Sequence, residues 1–253
     1  MALDSSEAPA VTTPTDKTNP PIQGEPARSL ADRAYRRLLQ MIVRCELEPG
    51  AWVTVARLSD DIGIGRGPIY EALVRLESDG FVEPTKRRGW QVTPLTLRQV
   101  SYIVEAYRLA ASQISALVIR NATDEQLQRQ RELTESWGSD ADAADVRQTF
   151  ENAPFEHLTQ ICGNPFVAAM AGGISAHYAR VMNLALLHGN FNDEAYHTLR
   201  SAVLDALQMR DVEAVQRSLD QLISAGEQEV HRVLRQTAPL LSASLTVNQR
   251  PAK

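Results

Sequence analysis

The chain has 253 residues and only two cysteines, Cys45 and Cys162. Two cysteines do not make a disulfide scaffold, and they read as reduced core thiols of a cytoplasmic protein. Aromatics are scarce at 6%, and glycine and proline number 13 each, which excludes a collagen-like or low-complexity repeat. No apolar run reaches the roughly 18 residues of a membrane span, so no membrane partner is expected. The first residues lack both a basic segment and an apolar stretch, so no secretory signal is read there. Glycine-rich phosphate loops and metal-hydrolase signatures are missing too. Cys162 and His157, five apart, do not face each other on a helix, so no nucleophile–base pair forms and the chain reads as no enzyme.

What is present is a core-forming composition, 43% hydrophobic and 23% charged. The net charge is −5, unevenly spread. Residues 25–94 hold 11 basic and 10 acidic side chains, whereas residues 95–253 hold 14 and 18. The basic groups of the first stretch cluster at Arg33, Arg36 and Arg37, then Arg57 and Arg66, then Lys86, Arg87 and Arg88. A near-neutral domain with one basic face suits nucleic acid, and the acidic remainder does not.

The chain divides into four parts. Residues 1–27, rich in proline and small polar residues, are read as a disordered tail. Residues 28–94 are read as a winged helix-turn-helix. Leu30, Ala34, Leu38 and Ile42 recur every four residues behind a capping Ser29. Glu48-Pro49-Gly50 turns the chain. Thr54 caps a short helix over 55–62, which Gly63 ends. A third helix begins near Pro68 and stops at Gly80. Two short strands, 81–83 and 90–93, flank a basic turn at 86–89. Residues 95–236 are read as an all-α bundle for ligand sensing and dimerisation, with helices at about 96–120, 124–137, 143–161, 165–187, 192–209 and 211–236. Thr123 and Asp211 are placed as caps. Residues 237–253 are read as a flexible tail.

The site with the most chemistry is the start of the third helix. A recognition helix carries polar or basic groups at its N-terminal end, where it enters the major groove, and its free amides there favour a phosphate. Arg66 stands at that point and can bridge guanine O6 and N7. Gly65 and Gly67 allow close approach of a sugar-phosphate chain, and Tyr70, one turn on, can donate to phosphate. Arg57 and Arg75 are candidate backbone contacts that equally suit a solvated face. Lys86, Arg87 and Arg88 can reach the minor groove or its phosphates, with Gly89 holding the wing turn tight.

These residues carry a resemblance. Residues 30–94 resemble the N-terminal domain of GntR-family bacterial transcription regulators, on Cys45 to Gly50, Leu58 to Ile64, Arg66 to Leu73, Arg75-Leu76-Glu77, Asp79 to Val82 and Arg88-Gly89. The remainder resembles the FCD-type ligand-sensing domain of the FadR-like subfamily, on Gly163-Asn164-Pro165, Ala202 to Leu207 and Arg210-Asp211. The resemblance implies a homodimer on near-palindromic double-stranded operator DNA, a repressor that releases or rearranges when a small anionic metabolite, often a carboxylate, binds. The competing reading is a protein-interaction or ligand-binding module with a degenerate DNA-binding domain.

Two departures from the family pattern matter. Gly65, Gly67 and Tyr70 replace polar or basic positions around Arg66, and Val55 and Ala56 replace a Glu-Arg pair, so the operator is expected to differ from the common half-site. In the second domain, the family's metal ligands fall on Glu151, Phe155, Arg200 and Leu222. A slip of one or two brings Glu156 or His157 but no set of three histidines, so no metal and no cofactor are expected. Arg200 then has three possible occupations: a two-pronged bond to an anionic effector, an internal pair with Glu151, or solvent. Arg108, His177 and Arg180 are candidates beside it. The apolar lining of Phe155, Leu204, Leu222 and Ala111 suits an aromatic or alkyl acid.

Overall fold

The computed structural model describes residues 29–86, 88–135, 153–188 and 193–247. The first helix, α1 (Leu30–Val43), starts where expected. The Ser29 hydroxyl accepts from the Asp32 amide at 3.1 Å, and the Asp32 carboxylate accepts in return from the Ser29 amide at 3.3 Å. Ala34, Leu38 and Ile42 of the four-residue stripe are fully buried, while Leu30 is left exposed. Cys45, at φ +56°, reverses the chain after the helix.

A two-residue strand, β1 (Trp52–Val53), follows and was not legible in the sequence. Thr54 caps α2 (Val55–Ile62) by accepting from the Arg57 amide, and Gly63, in the left-handed region at φ +70°, ends it. The next helix, α3 (Arg66–Ser78), begins two residues before Pro68. Proline is tolerated there because first-turn amides have no partner within the helix. The wing is β2 (Val82–Thr85) and β3 (Gly89–Val92), each set slightly differently from the predicted strands. The antiparallel sheet has the order β1-β3-β2, with Trp52 opposite Gln91 and Val82 opposite Val92. Ile69, Ala72, Leu73 and Leu76 of α3 close one core with the α1 stripe, Leu58, Phe81, Trp90 and Val92.

The rest of the described chain is helical: α4 (Leu97–Asn121), α5 (Asp124–Glu135), α6 (Ala153–Ile161), α7 (Pro165–His188), α8 (Asp193–Gln208) and α9 (Val212–Val247). Thr123 and Asp211 cap as expected, accepting from the Gln126 amide at 3.2 Å and the Ala214 amide at 2.9 Å. The part of the predicted 143–161 helix before residue 153 lies outside the described residues, as do residues 1–28. The last helix runs on to Val247, past the predicted end at 236. A second core joins α4, α7, α8 and α9, and it includes Cys45 and Leu95 from the N-terminal part. The fold is thus a winged helix-turn-helix followed by an all-α bundle.

Candidate nucleic-acid interface and ligand-binding interior

Gly65 is the N-cap of α3 and has no side chain to satisfy the first amides, so they face outward uncapped. Arg66 is the first helical residue and is exposed, with no ion pair among the described residues. A Cβ built on Gly67 would meet nothing within 4 Å, and one on Gly65 only the Pro68 ring at 3.9 Å. Neither glycine is therefore required by crowding inside the protein. Tyr70 is exposed, with its ring edge-on to Trp90 at 6.3 Å, which ties the recognition helix to the wing.

At the wing tip, Lys86 and Arg88 are exposed, and the Arg88 guanidinium lies over the Trp52 ring at 5.4 Å. Arg87 lies outside the described residues. Gly89 is the tightest point: φ is +85°, and a Cβ would stand 2.6 Å from the Val53 carbonyl. The wing turn folds onto β1 only with glycine there.

Arg57 and Arg75 do not join this group. Arg57 is exposed but pairs with Asp61 at 3.5 Å. Arg75 points to α1, where it bonds Asp32 at 2.7 Å and covers the Tyr35 ring at 4.2 Å. That bond holds the Asp32 carboxyl below its usual range. Tyr35 in turn donates to Asp79 at 2.7 Å, and burial, then Asp79, pushes its phenol up to about 12. Arg75 is an α1–α3 brace, because its guanidinium is already occupied by a carboxylate and a ring.

The predicted effector residues separate into three places. Arg108 staples α4 to α9, bonding Asp220, Ser224 at 3.3 Å and Glu227 at 3.6 Å, and its charge reaches the buried Tyr178. Arg200 lies inside the bundle, where its guanidinium donates to the Thr134 carbonyl and burial lowers its basicity. Around it runs a polar seam that sequence reasoning missed. Tyr196 and Tyr178 hydrogen-bond, Tyr178 stacks on Tyr107 at 3.8 Å, and Tyr107 meets Phe155 at 5.5 Å. Burial raises all three phenols, Tyr196 to about 12. His157 Nδ1 bonds Gln130 at 2.8 Å, and Gln130 donates to Thr134. Leu204 is buried, and Glu151 lies outside the described residues. Phe155 also borders a cleft of about 670 Å³ between α1 and the bundle.

The third place is the joint between the two parts. His177 stacks on Phe81 at 3.9 Å and donates from Nε2 to the Asp79 carbonyl at 2.9 Å. Arg180 Nη2 donates to the Thr93 carbonyl at 2.5 Å, and Asn183 Nδ2 donates to the Val43 carbonyl at 2.8 Å. Two of these acceptors lie at the C-terminal ends of α1 and α3, where carbonyls lack helical partners. The sequence signal was the three-residue spacing of 177, 180 and 183 on an otherwise apolar helix.

No three His, Cys, Asp or Glu side chains come together to hold a metal ion among the described residues. At the family's ligand positions, Phe155 and Leu222 have no donor atom and Arg200 is a cation, so this donor set does not fit a metal.

Comparison with known proteins decides the family. The model of bacterial regulatory proteins of the gntR family matches residues 30–92, and the FCD domain model matches residues 96–225. The chain belongs to the GntR regulators that carry an FCD domain. An HTH-type transcriptional repressor, RspR of Escherichia coli K12, is 24% identical over 227 residues, covering 87% of this chain and 97% of that protein. The uncharacterised HTH-type regulator YdhC of Bacillus subtilis is 34% identical over 105 residues, 40% of this chain and 46% of that protein. Among solved structures, E. coli McbR/YncC matches with a TM-score of 0.71 at 18% identity, over 81% of this chain and 98% of that one. A putative GntR regulator from Rhodococcus sp. RHA1 matches at 0.60 and 16% identity, over 79% and 96%.

This GntR/FCD chain is therefore a DNA-binding transcription regulator and not an enzyme. Its second-domain markers have structural work. Asn164 caps α7 by accepting from the Phe166 and Val167 amides. Arg210 donates to the Ile119 and Ala122 carbonyls at the end of α4. No helix among the described residues is long and apolar enough to cross a membrane.

Proposed function

We propose that this regulator is a homodimeric repressor that reads a near-palindromic operator and responds to a small carboxylate. One observation carries the DNA-binding reading: Arg66 at the uncapped start of α3 is exposed and has no ion pair among the described residues, and Lys86 and Arg88 stand likewise on the wing behind it. Basic side chains with no internal carboxylate are available for phosphate and base edges. In this reading Arg66 contacts bases or a phosphate at the mouth of the major groove. Gly65 and Gly67 let the backbone approach, Tyr70 donates to phosphate, and Lys86, Arg87 and Arg88 hold the minor-groove side. Arg57 contributes only by giving up its Asp61 pair.

The name of the E. coli relative supports repression as the mode. The effector is assigned to the bundle interior, with Arg200 as the cation and the Tyr107–Tyr178–Tyr196 seam as a wall that suits an aromatic or alkyl acid. Such an effector acts only if it binds the free and DNA-bound forms unequally.

Mobility shift on the DNA upstream of the chain's own gene tests the first part. Arg66→Ala should weaken retention by about 10- to 100-fold, and the Lys86→Ala/Arg88→Ala pair should flatten the salt dependence. Retention unchanged in both variants would remove the regulator's proposed contact surface. Calorimetry with a carboxylate series against Arg200→Ala tests the second part.

A further inference from the structure

The joint that holds the DNA-binding part also borders an open pocket of about 330 Å³. Its walls come from Pro94 and Leu95 of the connecting segment, Ile103 of α4, and Ile174, His177 and Arg180 of α7. That volume lies at the small end of the range for small-molecule sites.

Arg180 is the unusual wall. It is 1% exposed and pairs with no carboxylate among the described residues. The one acceptor its guanidinium meets there is the Thr93 carbonyl, and the buried Nε has no hydrogen-bond partner. Buried arginines are ordinarily paired, since an uncompensated charge away from water is costly. No aspartate or glutamate lines the pocket. Burial lowers the guanidinium to about 10, which still leaves it cationic at neutral pH. The neighbouring imidazole adds no second charge, because burial pulls His177 below its usual range. Thr93, Gln99 and Tyr102 supply the remaining polar edge, and Pro94, Leu95, Ile103 and Ile174 are apolar.

We infer that this joint pocket is a binding site for a small monocarboxylate with an apolar body, with Arg180 taking the carboxylate and Pro94, Leu95, Ile103 and Ile174 packing the rest. A dicarboxylate is disfavoured, since its second charge meets no second cation. The site is separate from the bundle interior around Arg200, and it goes beyond the DNA-binding reading without depending on it. Its position gives it leverage: the carboxylate would share Arg180 with Thr93, one of the three carbonyls that fasten the DNA-binding part.

Calorimetric titration of the full chain with benzoate, and with benzamide as its uncharged counterpart, tests this directly. Benzoate should bind saturably, and benzamide should bind about 10- to 100-fold more weakly. Arg180→Gln and Ile103→Trp should each weaken benzoate by a similar factor, in the parent chain and in an Arg200→Ala chain alike, which separates this site from uptake in the bundle interior. Circular dichroism checks each fold. If Arg180→Gln does not fold, Ile103→Trp decides, because it fills the pocket and leaves the Arg180–Thr93 bond in place. Absence of saturable heat with benzoate, equal binding of benzamide, or unchanged binding in Ile103→Trp on the Arg200→Ala background would each overturn the assignment. A chain that binds benzoate this way yet ignores its operator would refute the DNA contacts and leave this site standing.

Discussion

Gly89 and Arg75 show how much depends on what a single side chain meets. Gly89 combines a left-handed backbone with a Cβ direction blocked at 2.6 Å by the Val53 carbonyl. Gly89→Ala should destabilise the chain by about 1–3 kcal/mol, read as a lower urea midpoint, because backbone rather than a flexible side chain must give way. The sequence made Gly89 legible, since glycine in a basic turn between two strand-like runs has few other uses. It could not make Arg75 legible. An arginine on a recognition helix looks the same whether it faces phosphate or Asp32, and only the packing of α3 on α1 settles which. The ion pairs of Arg108 were illegible for the same reason: Asp220 and Glu227 are more than a hundred residues away.

At the scale of the element, α3 separates stability from recognition. Gly67 has an open Cβ direction and no positive φ, so Gly67→Ala should leave the fold intact and gain about 0.5 kcal/mol from better helix propensity. If the bare backbone there admits a sugar-phosphate chain, the same variant should lose operator retention while its melting temperature holds or rises. A variant that melts higher and binds equally well would count against backbone approach at that turn. Helix periods and caps were readable because they are local: Ser29, Thr54, Thr123 and Asp211 all act within three residues. The two-residue β1 was not, because its existence depends on pairing with β3, far along the chain. The tyrosine seam was missed because Tyr107, Tyr178 and Tyr196 come from three helices whose relative rotation no single helix encodes.

For the whole molecule, the joint carries a pH dependence. Burial is the main reason His177 titrates below 6.5; the Arg180 charge adds to that, and the Asp79 carbonyl and carboxylate oppose it. The folded chain thus keeps this imidazole neutral where the unfolded chain already takes up a proton. Its contribution is full above pH 6.5 and is lost as pH falls through the depressed value. The drop in melting temperature between pH 7.5 and 5 should therefore be smaller in His177→Gln than in the parent chain. Equal drops would show that the imidazole does not titrate differently in the two states.

Three of the hydrogen bonds that fasten α7 are made to main-chain oxygens, those of Val43, Asp79 and Thr93. Every amino acid supplies that oxygen, so the attachment places no demand on the side chains at those three positions. Descendants of this regulator are free to alter which bases they read without having to reinvent how the reader is mounted.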